Sequence, residues 1–190
     1  CALPIWTSAI ILPYRNPLII AKMCSTLDNF CNGRLICTVA PGWMEEEFEI
    51  LNVEYEGRIP KTIEYVEILK ALWTEDPSSY EGNYFNFKNV SFHPKPKQKN
   101  LQVWMGGNHN NAIKRSLDHA DGWQPIWFSA QELREKISYL NDYSDKIGRN
   151  LDNFNISLRN RIRITNKSKK DSGQPETALW AIIFVTIWKE

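Results

Sequence analysis

The chain opens on an apolar run, Trp6-Thr7-Ser8-Ala9-Ile10-Ile11-Leu12, rich in branched residues and ended by Pro13. A run of this kind predicts a strand buried on both faces. Asn16-Pro17 then supplies an N-cap and a proline at the first helical position. Ile20, Met23, Leu27 and Phe30 mark one face of the helix that follows, and Gly33 ends it. Arg34 to Ala40 reads as a second buried strand, stopped by Pro41-Gly42. Ile59, Ile63, Val66, Leu69 and Trp73 line one side of a long helix that closes before Pro77.

The period changes between residues 78 and 100. Tyr80-Glu81-Gly82-Asn83-Tyr84 predicts a hairpin turning at the glycine, and Pro94 and Pro96 mark an extended loop. Leu101 to Met105 is a short strand stopped by Gly106-Gly107. A helix from about Asn108 to Ala120 turns Ala112, Ile113 and Leu117 inward. A strand follows near Gly122 to Trp127. The capping box Ser129…Glu132 opens a helix with Leu133, Ile137 and Leu140 inward. Ile156 to Ile164 is the last clear strand.

Strands alternating with helices define βαβ units and a parallel sheet. About five strands take part. That number suits a doubly wound sheet, whereas a barrel needs eight. The count therefore leaves either an open sheet or a barrel with parts missing. After Thr165 a polar stretch, Asn166 to Thr177, leads into the apolar run Ala178 to Trp188. That run has neither helical period nor alternation and reads as a buried strand or helix.

Composition narrows the function. With 190 residues, 43% hydrophobic and 24% charged, the chain has the balance of a soluble globular domain. A net charge of +1 leaves no electrostatic footprint for nucleic acid or an acidic membrane surface. Lys95, Lys97 and Lys99 lie among prolines and read as a solvated loop. Cysteines at 1, 24, 31 and 37 form no C-x-x-C pair, and no histidine stands at metal spacing. Reduced thiols in a cytoplasmic protein are the expectation. No signal-peptide pattern is present, and residues 178–188 are too few for a bilayer, which takes about 20.

Glycine at the C-terminal end of a parallel strand permits a tight turn or a close approach by a ligand. It occurs twice, at Pro41-Gly42 and at Gly106-Gly107-Asn108. Ligands of parallel α/β folds bind at that end of the strands. The second glycine site runs directly into a helix, whose free N–H groups and positive dipole end suit a phosphate. Plain turn chemistry is the alternative, because neither site is a P-loop or a dinucleotide fingerprint. Glu45, Glu46, Glu47 and Glu49 read as a solvated first helical turn, with Glu46 or Glu47 facing a ligand as the sharper option. His119 reads as structural, and His109 as a candidate to line the site. Trp43 and Trp104 are expected near the ligand end. No nucleophile elbow or Ser/His/Asp set is present.

Three ordered segments carry a resemblance. The first is Thr7 through Pro17. The second runs from Gly33-Arg34-Leu35-Ile36 through Ala40-Pro41-Gly42-Trp43 and Glu46-Glu47-Phe48-Glu49 to Arg58 and Leu72-Trp73-Thr74-Glu75-Asp76. The third comprises Pro94-Lys95-Pro96, Trp104-Met105-Gly106-Gly107 and Ala120-Asp121-Gly122-Trp123. Together they resemble the luciferase-like monooxygenase family, especially its deazaflavin (F420) members. The resemblance implies a (β/α)₈ TIM barrel of which strands three to seven are recognisable, a partial barrel over 1–165, and a divergent tail over 166–190. Strands one and two, with the family's acid/base residues, would then precede Cys1. It implies an oxidoreductase acting on a small organic substrate with coenzyme F420, or FMN as the alternative, and it allows a homodimer. A barrel-derived binding protein without cofactor is the other reading. Carried over residue by residue, Ser8-Ala9 would be a non-prolyl cis peptide behind the cofactor ring. Pro41-Gly42 would contact the ring or its side chain, and Gly106, Gly107 and Asn108 would hold the phosphate.

Overall fold

A computed structural model describes residues 3–164 and 179–187. Strands β1 (Ile5–Trp6) and β2 (Ile10–Ile11) both lie parallel to β3 (Leu35–Ala40). Beyond β3 the sheet continues with β6 (Val103–Gly106), β7 (Gly122–Gln124) and β8 (Asn155–Ile164), each parallel to the one before. Every new strand is added on the same side of its predecessor, which is the winding of a barrel and not of a doubly wound sheet. The sheet is a curled half-barrel. A separate antiparallel hairpin, β4 (Ser78–Glu81) and β5 (Asn86–Val90), carries the turn expected near Gly82.

Alternation sorts the two faces of the sheet. Leu35, Cys37, Val39, Val103 and Met105 point outward and are fully or almost fully buried against helices α1 (Pro17–Phe30) and α3 (Arg58–Thr74). Trp123 and Ile156 do the same against α4 (Asn110–His119) and α5 (Ala130–Ile147), forming a second cluster with Ile113, Leu117 and Leu140. Ser129 and Glu132 cap α5 reciprocally, as their spacing predicts. The short helix α2 (Glu45–Ile50) follows β3 with three glutamates in its first turn. Cys24, Cys31 and Cys37 are free, buried thiols. No helix among the described residues is long and apolar enough to cross a membrane.

Three expectations need correction, and one open choice between strand and helix is decided. The opening run is not one strand buried on both faces. It breaks at Ser8-Ala9 into two short strands and ends in a 3₁₀ turn over Leu12–Tyr14, and Ile5 is 39% exposed. Helix α1 buries Ile20 with Ala21, Cys24, Ser25 and Asp28, while Met23, Leu27 and Phe30 are exposed. Small side chains let the helix lie close to the sheet, so they and not the bulky ones face inward. Helix α4 starts at Asn110, two residues later than its pattern suggests. The apolar run near the C-terminus is a strand, β9 (Leu179–Ile187), antiparallel to β8. The polar stretch 166–177 lies outside the described residues.

Buried carboxylates fasten the loops to this scaffold. Asp28, wholly buried, accepts from Leu35 N (3.3 Å), Gln98 N (2.9 Å) and Gln98 Nε2 (2.7 Å), tying α1, β3 and the proline loop together. Glu64 on α3 accepts from the backbone N–H groups of Asn83, Tyr84 and Phe85 and so docks the hairpin. Asp121 accepts from Val103 N at 2.9 Å. Asp28→Ala takes this acceptor from the Leu35 and Gln98 backbone N–H groups, while Gln98 Nε2 keeps its bond to the Leu35 carbonyl, and should destabilise the chain by about 2 kcal/mol. A urea titration should show this as a lower midpoint with an unchanged slope.

Candidate cofactor site

The C-terminal ends of β3 and β6 lie side by side. A Cβ placed on Gly106 would sit 3.7 Å from Ala40 Cβ and 3.6 Å from the Val39 carbonyl oxygen, so the two glycine turns are neighbours on one rim. At Gly42 (φ +82°) a Cβ would fall 2.8 Å from the Phe48 ring and 3.0 Å from Ile11 Cγ2. Gly107 (φ +137°) would bring one to 2.7 Å from Ala112 Cβ. Both positions exclude any larger residue for reasons of space and backbone conformation alike. An aromatic stack supports the first turn. Tyr14 and Phe48 meet edge-on at 4.6 Å, Phe48 and Tyr55 at 5.1 Å, and the Arg58 guanidinium lies 3.6 Å from the centre of Tyr55. Arg58 Nε also donates to the Gly42 carbonyl at 3.4 Å, closing the stack against the turn.

The peptide between Ser8 and Ala9 is cis, as the family resemblance implies. It sits between β1 and β2 and is held from across the concave face. Ser8 Oγ donates to Gln124 Oε1 at 2.6 Å, and Arg159 Nη1 donates to the Ser8 carbonyl at 2.8 Å. Neither Gln124 nor Arg159 stands out in the sequence. The one available signal was parity: Trp123 faces the helices, so the residue after it faces the barrel interior.

Asn108 does not cap the helix after it. Its carboxamide donates to Ile126 O (2.9 Å) and accepts from Ile126 N (3.0 Å), standing in for a strand partner beyond β7. Residue His109 holds the N-cap position without a side-chain bond, so no side chain caps the start of α4. Trp123 Nε1 fixes the turn by donating to the Gly107 carbonyl at 2.8 Å. The rim thus brings together Pro41, Gly42, Gly106 and Gly107, with Asn108 engaged as a brace.

The remaining candidates fall elsewhere. Glu47 accepts from Tyr14 Oη at 2.8 Å, and Glu46 is exposed. His119 pairs with Glu67 (3.5 Å) and His93 with Asp76 (3.0 Å), while His109 is exposed. Trp43 is on the ligand side but 77% exposed. Trp104 is a correction. Its inward parity drops it to the opposite end, where it lines a cavity of about 330 Å³ with Pro4, Trp6, Arg34, Gln102 and Asn155. Lys95 is no mere solvated residue either, since its Nζ donates to the Leu72 carbonyl at 2.8 Å.

A curled parallel sheet with helices on its convex side and glycine turns on its C-terminal rim defines a piece of a (β/α) barrel. The family profile of luciferase-like monooxygenases matches residues 2–171, and the chain belongs to that family. It is 28% identical over 147 residues to the FMNH2-dependent dimethylsulfone monooxygenase of Pseudomonas putida, covering 71% of this chain and 40% of that protein. It is 30% identical over 151 residues to the pyrimidine monooxygenase RutA of Cronobacter turicensis, covering 73% and 38%. The coenzyme F420-dependent tetrahydromethanopterin reductase of Methanopyrus kandleri superposes with a TM-score of 0.70 at 19% identity, over 80% of this chain and 48% of that one. The chain spans about two fifths of the length of the curated relatives it matches.

The Tyr14–Glu47 contact gives a titration test. Burial first, and then the bond to Glu47, push the Tyr14 phenol from 10.0 up to about 12. A raised folded value means that the phenol stabilises the fold fully below pH 10, and that this contribution is lost as pH climbs from 10 to about 12. Ultraviolet titration should show Tyr14 among several late phenols, since Tyr65, Tyr80 and Tyr143 are raised as well, and Glu47→Gln should move one phenol back towards 10. Identical titrations of the two proteins would contradict this contact.

Proposed function

We propose that the chain is the cofactor-binding part of an oxidoreductase that uses a flavin or deazaflavin on a small organic substrate. One observation carries this reading. The backbone at Ser8, held from across the concave face by Gln124 and Arg159, borders the same surface as two side-chain-free turns at the C-terminal strand ends. A flat ring needs a wall without projecting side chains, and its phosphate needs backbone N–H groups that can be approached closely. Residues 1–165 would form the barrel portion and 166–190 a divergent tail.

In this reading Ser8 and Ala9 back the ring, Pro41 and Gly42 border it, and Gly106, Gly107 and the uncapped start of α4 take the phosphate. The dipole of α4 adds about 0.3–1 kcal/mol for an anion there, and charge-assisted N–H bonds add more. Asn108 contributes by bracing the turn against Ile126, so its amide is not itself a phosphate ligand. The bound group would supply the redox chemistry, a hydride from F420 or electrons for dioxygen from reduced FMN. The protein's part is to orient the ring and keep water from it.

Gly106→Val tests this cleanly. Its Cβ meets only ordinary contacts at 3.6–3.7 Å, and its φ is not in the left-handed region, so the fold should survive. Gly107→Val lacks that advantage because of its φ and the 2.7 Å clash. Titration with FMN and with F420 should show one of them binding to the unchanged chain. The Gly106→Val chain should bind it at least about tenfold more weakly, a loss of roughly 1.4 kcal/mol, with the same melting temperature. Equal affinity in the two proteins would move the phosphate and ring elsewhere.

A further inference from the structure

The strand registers place Ala40, Gly106, Gln124 and Ser157 in one row across the concave face. Val39, Met105, Trp123 and Ile156 are linked in sequence through three parallel pairings, so the residues that follow them share the next level. Gly106 and Gln124 are direct register partners. Half of this row is flat, because Ala40 carries a methyl group and Gly106 nothing. The other half is polar, and two of its polar atoms have no partner. Gln124 is 2% exposed and Ser157 fully buried, yet Gln124 Nε2 and Ser157 Oγ form no hydrogen bond. One level down on the same face, Thr38 Oγ1 is also buried without a partner.

The amide has a defined orientation. Ser8 Oγ donates to Oε1 at 2.6 Å, which assigns the oxygen to the Ser8 side and leaves the NH₂ group without a partner. An unpaired buried amide donor costs about 1–3 kcal/mol, and it is seldom left so without a reason. An acceptor arriving from a ligand removes that cost.

We infer that Gln124 is a cofactor-binding residue whose Nε2 donates to a carbonyl or ring-nitrogen acceptor on the edge of a planar heteroaromatic ring lying over Ala40 and Gly106. This rests on the flavin or deazaflavin reading above and adds to it the edge contact that fixes the ring within its plane. Ser8 acts through Gln124 as a positioning residue. Ser157 offers a second hydroxyl to the same edge. Arg159 crosses this face to the Ser8 carbonyl.

The test uses the whole chain with FMN and F420 as probes, followed by both affinity and the absorption spectrum of the bound chromophore. Gln124→Glu keeps the size and the acceptor for Ser8 but removes the amide donor. Gln124→Met removes both polar atoms and keeps the length. Each should weaken binding of the cofactor that the unchanged chain accepts. A fall of about 3–10-fold is expected for the methionine variant, the range of one neutral hydrogen bond. Both variants should also move the long-wavelength band of the bound ring, which a purely structural role would not do. Binding and band position equal to those of the unchanged chain, in either folded variant, overturn the role of Gln124 and leave the cofactor reading standing. An unchanged chain that binds neither probe overturns both.

Discussion

Ser8 and Arg159 are separated along the sheet by four strand steps, from β2 through β3, β6 and β7 to β8. In a flat sheet four steps span roughly 19 Å at about 4.8 Å each. An arginine side chain cannot reach that far, yet Arg159 Nη1 lies 2.8 Å from the Ser8 carbonyl. Gln124, three steps away, lies 2.6 Å from Ser8 Oγ. These bonds are chords across a curve, and they exist only because the sheet is bent. They also join the first strands to the last by contacts 116 and 151 residues apart in sequence. The curl and the chords require each other.

Bending the sheet gives its two faces different work. The convex face has room for helices and takes the branched side chains, so Leu35, Val39, Val103 and Trp123 are all without exposure. The concave face is too narrow for helices and is filled by side chains that reach across to one another. Polar residues suit that face because their hydrogen bonds have direction and length, which fixes the ends of a chord. The carboxylates of Asp28, Glu64 and Asp121 do the corresponding task at the loops. Each accepts backbone N–H groups at a junction and spares the site from carrying loop strain. What reaches the rim is therefore backbone held by a rigid scaffold, with few mobile side chains.

The sequence made much of this legible. Helices α3 and α5, the hairpin and strands β3 and β8 follow directly from period, caps and glycines, because each of those signals is local. The ordered resemblance turned five strands into a barrel, and parallel neighbours in chain order agree with it. The faces of short elements were harder to read. Helix α1 offers two stripes at helical spacing, and the bulky one, Met23 with Leu27 and Phe30, is the exposed one. Close packing against the sheet favours Ala21, Cys24 and Ser25, a preference that depends on the partner and not on hydrophobicity. Asn108 is of a residue type that caps helices and stands just before one. Its carboxamide instead found a backbone N–H and C=O together at Ile126, which satisfies two groups where a cap satisfies one. Gln124 and Arg159 carry no signal in the sequence, since a bond between distant strands leaves no local mark.

Volume and chemistry point to opposite ends of this half-barrel. The cavity of about 330 Å³ opens at the N-terminal strand ends and is walled by Pro4, Trp6 and Trp104. In barrels that end serves stability, and its lining here is largely aromatic and apolar. The C-terminal rim holds features that a ligand with a flat ring and an anionic tail would use. It has two turns that exclude side chains, an uncapped helix start, and a buried amide N–H group with no partner. An apolar hollow is stable when empty. An unpaired buried donor is not, and the free energy it withholds from the unliganded fold is available to whatever acceptor binds there. On that ground the proposed reading places the partner at the rim and not in the hollow at the other end.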